Sequence, residues 1–313
     1  MKAPIDSSAS EDQGMDFKKA LDEGWLPIRE VARQTGVNAI TLRAWERRYG
    51  LIVPQRTPKG HRLFSAEHVQ RILMILTWLN RGVAVSQVKQ LLETPQAFSE
   101  PVENDWHLLR QTLLNTVTQL NERTLDDTVN QAMALYPPRT LCEQLLMPLL
   151  TELEQRWQGQ FGAQMERVFF YSWLRSKFGA RIYHNNRQLN TAPLLLINHS
   201  DLPLEPHLWL TAWLISSTDC PVEVFDWPLP AGELSLAVDR LQARGVLLYS
   251  SKAINLSQLT KLLNGVSCPK MIAGPTVCIH HTELSVRTFV IADLYLAEDP
   301  LLAHQALVQR GLI

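Results

Sequence analysis

The sequence predicts a multidomain fold in three parts: a small α-rich domain over residues 25–95, a four-helix bundle over 106–190 and a parallel α/β sheet over 191–313. Three observations carry this. Positive charge is concentrated in the first part. Apolar residues recur three and four apart from Trp106 to about Asn186. From residue 193 short β-rich runs alternate with helical stretches. At 313 residues the chain exceeds what one ordinary core holds, so division into domains is expected.

The formal net charge of −1 hides an asymmetry. Residues 25–95 carry eleven Lys and Arg (Arg29, Arg33, Arg43, Arg47, Arg48, Arg56, Lys59, Arg62, Arg71, Arg81, Lys89) against four acids (Glu30, Glu46, Glu67, Glu93). That segment is +7 and the remainder −8. One basic domain on a mildly acidic body points to a polyanion that meets only that domain.

The polar, acidic lead over residues 1–24 is expected to be disordered. Residues 94–105 carry two prolines and three acids, which places a linker at 96–105. No run of about 18 apolar residues exists, so no membrane span is expected. The start lacks an apolar leader, and Cys142, Cys220, Cys268 and Cys278 have no short paired spacing. Both fit a cytoplasmic protein without a zinc site or disulfide framework.

Within the basic part, Ile28, Val31 and Ala32 form a helical apolar stripe. Gly36 follows, where a tight turn needs positive φ. Asn38 can cap a second helix whose Ile40, Leu42 and Trp45 or Tyr49 face inward. That helix is expected to expose Thr41, Arg43, Glu46, Arg47 and Arg48. Helix, turn and basic helix in this order is the layout of a DNA reader. Pro54, Pro58 and Gly60 then set turns around Arg56, Lys59, His61 and Arg62, and Leu63 and Phe64 can anchor the returning strand. A basic loop between two short strands is the shape of a wing that grips the phosphate backbone.

These residues carry a resemblance. The run IREVARQTGV, TLRAWERRYGL and GHRLFS resembles the MerR family of winged-helix regulators, and its Ala-Trp-Glu-Arg-Arg-Tyr-Gly core is closest to the CarH/LitR/MlrA branch. The resemblance implies contacts to double-stranded operator DNA by Arg43, Trp45, Arg47, Arg48, Arg56, His61 and Arg62, and the exposed helix face and basic wing add Thr41 and Lys59 to the expected contacts. Trp45 is expected along the DNA backbone, with a buried aromatic as the other reading. The family implies a dimer or tetramer, acting with RNA polymerase at a target promoter.

In that branch the reader precedes a bundle and a Rossmann-like sheet that together bind cobalamin. The order here matches. LLRQTLLNTVTQL, LDDTVNQAMALY, LCEQLLMPLLTELEQRW and the run from Gln164 supply the bundle helices. PLLLINH, PVEVFDW, GVLLYSS, PKMIAG and RTFVIAD read as strands. The residues that hold the cofactor are largely replaced. The bundle motif, Trp then nine residues then Glu-His, keeps Trp157 but reads Arg167-Val168 at the pair, with Glu166 one position early. The loop motif, acid-x-His-x-x-Gly, keeps Glu205 and His207 but has Leu210 for the Gly. A later Ser-x-Leu reads Ser250-Ser251-Lys252, and the Gly-Gly turn reads Ala273-Gly274. Glu205 and His207 are open to a ligand role or to a solvated or capping one.

The expectation is therefore a degenerate cobalamin-binding domain without a cofactor, taking its signal from a protein partner such as a photoreceptor, as cobalamin-independent LitR-type light-responsive regulators do. The alternative is a cobalamin light sensor with His207 as axial ligand. No catalytic constellation is legible, so the chain is not expected to be an enzyme.

Overall fold

The computed structural model describes residues 17–93, 105–159, 161–187, 189–200, 202–227 and 229–313. Of the linker expected at 96–105, residues 96–104 lie outside them and Asp105 already begins a helix; the lead up to residue 16 also lies outside. The chain divides into two compact units, the described residues up to 93 with Ala134–Pro137, and 105–133 with 138–313.

The first unit opens with helix α1, Phe17–Asp22, where the sequence reading placed disorder. Ala20 on this helix is fully buried, which anchors it. Strand β1 (Leu26–Pro27) runs straight into α2 (Ile28–Thr35). Gly36 ends α2 with φ at +70°, and its N–H closes on the Ala32 carbonyl. Asn38 then caps α3 (Ala39–Ala44), its side chain accepting from the Thr41 N–H at 2.9 Å. This satisfies one of the first-turn donors that a helix leaves open. The helix continues as a π turn over Trp45–Tyr49 and stops at Gly50. Strands β2 (Gln55–Arg56) and β3 (Arg62–Phe64) make the wing, with β3 paired antiparallel to both β2 and β1. Helices α4 (Ala66–Asn80) and α5 (Val85–Glu93) complete the unit. Its core holds Val31, Leu42, Trp45, Leu63, Phe64 and Ile75.

In the second unit the bundle consists of α6 (Asp105–Thr118), α7 (Glu122–Leu135), α8 (Pro138–Leu141) continuing through a π turn into α9 (Met147–Arg156), and α10 (Ala163–Asn186). Leu113, Val117, Leu125, Val129, Leu153, Phe170 and Phe178 fill its interior at the helical spacing read from sequence.

The sheet contains β4 (Leu194–Asn198), β5 (Val222–Phe225), β6 (Gly245–Tyr249), β7 (Lys270–Ala273) and β8 (Leu294–Ala297). All pairs are parallel, in the order β5-β4-β6-β7-β8. The connecting helices are α11 (Pro206–Ser216), α12 (Leu234–Leu241), α13 (Leu256–Asn264), α14 (Thr276–Ile279), α15 (His281–Arg287) and α16 (Pro300–Gln309). Helix α11 is apolar on all sides and buried from Leu208 to Ser216, lying against α10, α16 and the sheet.

One strand expectation is corrected. RTFVIAD is not a strand: Arg287 ends α15, and Phe289 and Val290 are 92% and 77% exposed. The fifth strand is Leu294–Ala297, which pairs with β7. An apolar run pointing at solvent gains nothing from extended pairing, whereas Leu294 and Ala297 are buried.

Candidate functional site

Two constellations hold the residues singled out from sequence. The first is the face of α3, its π turn and the wing. Arg43, Arg47 and Arg48 are exposed, and with Ile40, Ala44 and Ala134 they line an open depression of about 410 Å³. Arg56, Lys59 and His61 are exposed on the wing, and Arg62 is half-buried. Glu46 joins the helix to the wing. Its Oε1 accepts from Arg56 Nη2 at 2.6 Å and its Oε2 from Arg62 Nε at 2.5 Å. Burial works against charging this carboxyl, but the bonds from Arg62 and Arg56 outweigh it and hold it below the usual carboxylate range.

Two expected contacts are overturned in placement. Thr41 is fully buried, and its hydroxyl has no hydrogen-bond partner among the described residues. Trp45 is also fully buried, and its Nε1–H donates to the Leu135 carbonyl at 2.8 Å. Neither side chain can reach DNA in this arrangement. Ile40, expected inward, is 62% exposed. The reason is helical geometry. At about 100° per residue, a stripe through Leu42 and Trp45 takes in position 41, whereas position 40 stands about 200° from 42.

The second constellation surrounds His207, where α11 begins. In a parallel sheet of this order, with the first strand between the second and third, the ligand crevice opens outside the carboxyl ends of β4 and β6. Here the chain's own side chains occupy that position. Asn198, Ser200, Glu205, Tyr249 and Ser250 are all at most 2% exposed. Asn198 donates both amide hydrogens, to the Leu202 carbonyl at 2.8 Å and the Asp226 carbonyl at 3.0 Å. Its Oδ1 is therefore the acceptor that faces Ser200 Oγ at 2.6 Å. Ser200 Oγ also stands 2.8 Å from Glu205 Oε2, so its single hydroxyl proton can be donated to either Asn198 or Glu205. Burial pushes the pKa of the Glu205 carboxyl up, against bonds from Ser251 and Ser200 that favour its charged form.

Glu205 does not orient His207. The separation between Glu205 Oε1 and His207 Nδ1 is 3.9 Å, beyond a hydrogen bond. The solvated and capping alternatives for Glu205 also fall, since it is buried and makes no side-chain cap. His207 lies parallel to Tyr249, and burial drives its pKa down to about 4 against a small opposing effect of Asp299.

On the bundle side Trp157 is buried and donates from Nε1 to Glu166 at 3.1 Å. Arg156 pairs with the same carboxylate at 3.3 Å. The ring of Trp157 meets Tyr171 edge-on at 5.6 Å, and Arg167 sits over Tyr171 at 5.3 Å. Val168, standing where the motif has His, is 64% exposed.

The fit of these residues to cobalamin can be tested directly. Leu210 is fully buried in place of the loop Gly. Gly274 has φ at +99°, but a Cβ there would come within 2.5 Å of the Ser250 carbonyl and 2.8 Å of the Tyr249 ring. The glycine accommodates the protein's own backbone rather than an open cradle for a ligand tail. The Nε1–H of Trp157 is likewise engaged internally, by Glu166. At the Leu210 and Gly274 positions the residues present do not fit the group.

Sequence comparison agrees with the layout. Residues 26–94 match the family model described as MerR HTH family regulatory protein, and residues 109–182 match the one described as B12 binding domain. The HTH-type transcriptional regulator MlrA of Salmonella typhimurium is 33% identical over 197 residues, 63% of this chain and 78% of that protein. The chain belongs to the MerR family. Its match to MlrA of Escherichia coli is 41% identical over 127 residues, 41% of this chain and about half (51%) of that protein. The HTH-type transcriptional repressor CarH of Myxococcus xanthus is 28% identical over 146 residues, covering 42% of this chain and 47% of that one. This MerR-family chain is thus a DNA-binding transcriptional regulator and not an enzyme. Among the described residues no helix is long and apolar enough to cross a membrane, and no His/Cys/Asp/Glu group is placed to hold a metal.

Sequence reasoning missed the engagement of Glu46 with the wing. The only signal was an acid within an otherwise basic helix. It also missed Tyr249 and Ser200, whose role depends on strand order.

Proposed function

We propose that this regulator reads a palindromic operator as a dimer without cobalamin, and that its C-terminal half takes the signal from a protein partner. DNA contacts are assigned to Arg43, Arg47, Arg48, Arg56, Lys59, His61 and Arg62, with Thr41 and Trp45 serving the core instead. The observation that carries the reading is the set of three arginines, Arg43, Arg47 and Arg48, exposed together on the recognition helix beside a basic wing. Guanidinium groups in that position can fork onto guanine edges or phosphates. Action is at a promoter with RNA polymerase, in the cytoplasm. A photoreceptor is one candidate for the partner.

The cobalamin-free part rests on the filled crevice at β4 and β6. The match of residues 109–182 to a B12 binding domain favours the second reading, a cobalamin light sensor that uses His207.

Selection from a random duplex pool tests the first part. The wild-type chain is expected to enrich a duplex with two half-sites about one helical turn apart, or a multiple of it. Enrichment of no sequence would remove the DNA-reading assignment. Incubation with adenosylcobalamin, followed by gel filtration, tests the second part. Corrin absorbance that travels with the protein would favour the His207 reading.

A further inference from the structure

We propose that Glu46 is a positioning and specificity residue for DNA reading: one recognition-helix carboxylate seats both wing arginines, Arg56 and Arg62, so that helix and wing meet the duplex in one fixed register. The proposal rests on the reading of this face as the DNA-contacting one.

The placement is unusual on electrostatic grounds. A carboxylate between cations on a phosphate-binding face repels the polyanion and lowers affinity for any DNA. It also cancels one of the three wing cations, Arg56, Lys59 and Arg62. Such a residue has to act through geometry. Glu46 is 13% exposed and Arg62 18%, so the pair is held within the unit, while Arg56 is 49% exposed at its rim. Both carboxylate oxygens are used, one for each arginine. The two arginines stand on the two paired wing strands, Arg56 directly opposite Arg62. A single side chain therefore ties both strands of the wing to the helix that enters the groove.

The tie leaves the arginines able to bind. It uses only Nε of Arg62 and one terminal nitrogen of Arg56, and a guanidinium carries five N–H donors. Each keeps donors for a phosphate oxygen. By contrast, Arg43, Arg47 and Arg48 make no ion pair among the described residues. The face thus combines free arginines on the helix with aligned ones on the wing. Phosphate contacts that can form only in one register turn sequence-blind attraction into discrimination.

The test compares Glu46→Gln with Glu46→Asp. The first removes the charge and keeps the length. The second keeps the charge and shortens the arm by one methylene, too short to reach both arginines. Two probes are used, the duplex most enriched by the wild type from a random pool and a scrambled duplex of equal composition. Fluorescence anisotropy across a salt series gives both affinities, and thermal melting checks that each variant is folded. For Glu46→Gln, several-fold tighter binding to the scrambled duplex is expected, without a matching gain on the selected one. The ratio of the two affinities should fall about tenfold or more. Glu46→Asp should lose the ratio to a similar extent without the gain on scrambled DNA. An unchanged ratio in both variants would overturn the proposal. So would a wild-type ratio in Glu46→Asp beside a reduced one in Glu46→Gln, since charge alone would then suffice. If Glu46→Gln fails to fold, Glu46→Asp still decides. Failure of the wild type to enrich any duplex is a separate result, which removes the assignment of the face itself.

Discussion

The imidazole of His207 lies parallel to the phenol ring of Tyr249, with the planes 4° apart and the centroids 6.4 Å apart. Tyr249 ends β6 at the point where the strand order reverses, so an aromatic ring of the chain stands where a parallel sheet of this order normally receives a ligand. The surrounding polar groups close on one another, with Asn198, Ser200 and Glu205 forming a buried hydrogen-bonded chain. The sheet keeps its parallel order, with these buried side chains at the carboxyl ends of β4 and β6.

Acid stability reports on His207. Its pKa drops from 6.5 to about 4 in the folded chain because burial penalises the cation. A lowered imidazole pKa stabilises the fold fully above 6.5, and that contribution is lost as pH falls toward 4. It amounts to on the order of 2 kcal/mol. His207→Gln should flatten the decline in melting temperature across this window. Part of the decline should remain, because burial lowers His304 to about 4 as well, with Arg139 adding to it. An unaltered profile would contradict the half-buried, neutral imidazole.

Glu205 has the opposite sign. Burial raises its pKa, so its stabilisation is present below the ordinary carboxylate pKa and is lost as pH rises through the raised value. Glu205→Gln keeps the shape of the side chain, stays neutral at every pH and retains an oxygen that can accept from Ser200. Chemical denaturation followed from the ordinary carboxylate pKa upward should show a smaller loss of stability with rising pH in this variant than in the parent. Marked destabilisation across the whole range would show that the charged form is the one required.

Thr41→Val separates the core assignment from the contact read from sequence. The hydroxyl is buried without a partner among the described residues, and valine has nearly its shape. Stability should rise by about 1 kcal/mol, with DNA affinity unchanged. Loss of affinity in a folded variant would return Thr41 to the DNA surface.

Arg43→Ala and Arg47→Ala remove exposed cations from the recognition helix. Each should weaken binding to the selected duplex. If the side chain meets a phosphate, the slope of log affinity against log salt should shrink by about one. If it meets a base edge, the slope should hold while discrimination at one position relaxes. Unchanged affinity for both variants would contradict the assigned face.

Much of this was legible in the sequence. Gly36 and Asn38 have the turn and cap roles that their chemistry dictates, and four strands and their helices lie where β-rich and helical runs alternate. The facing of α3 was not legible, because Ile40, Leu42 and Trp45 cannot share one helical stripe, and an apolar list does not show which member is turned out. RTFVIAD was misread for a related reason: its composition suits a strand, but burial is decided by the neighbours it can reach. The closed crevice was foreshadowed only by substitutions such as Leu210. That Tyr249 fills it depends on strand order, which is a property of the fold.

The central claim is that the chain reads DNA without cobalamin. Its most direct test is the affinity of the purified full chain for the selected duplex, measured with and without excess adenosylcobalamin, in darkness and after illumination. The account predicts one dissociation constant under all four conditions. A change in affinity that requires adenosylcobalamin, above all one reversed by light, would contradict it.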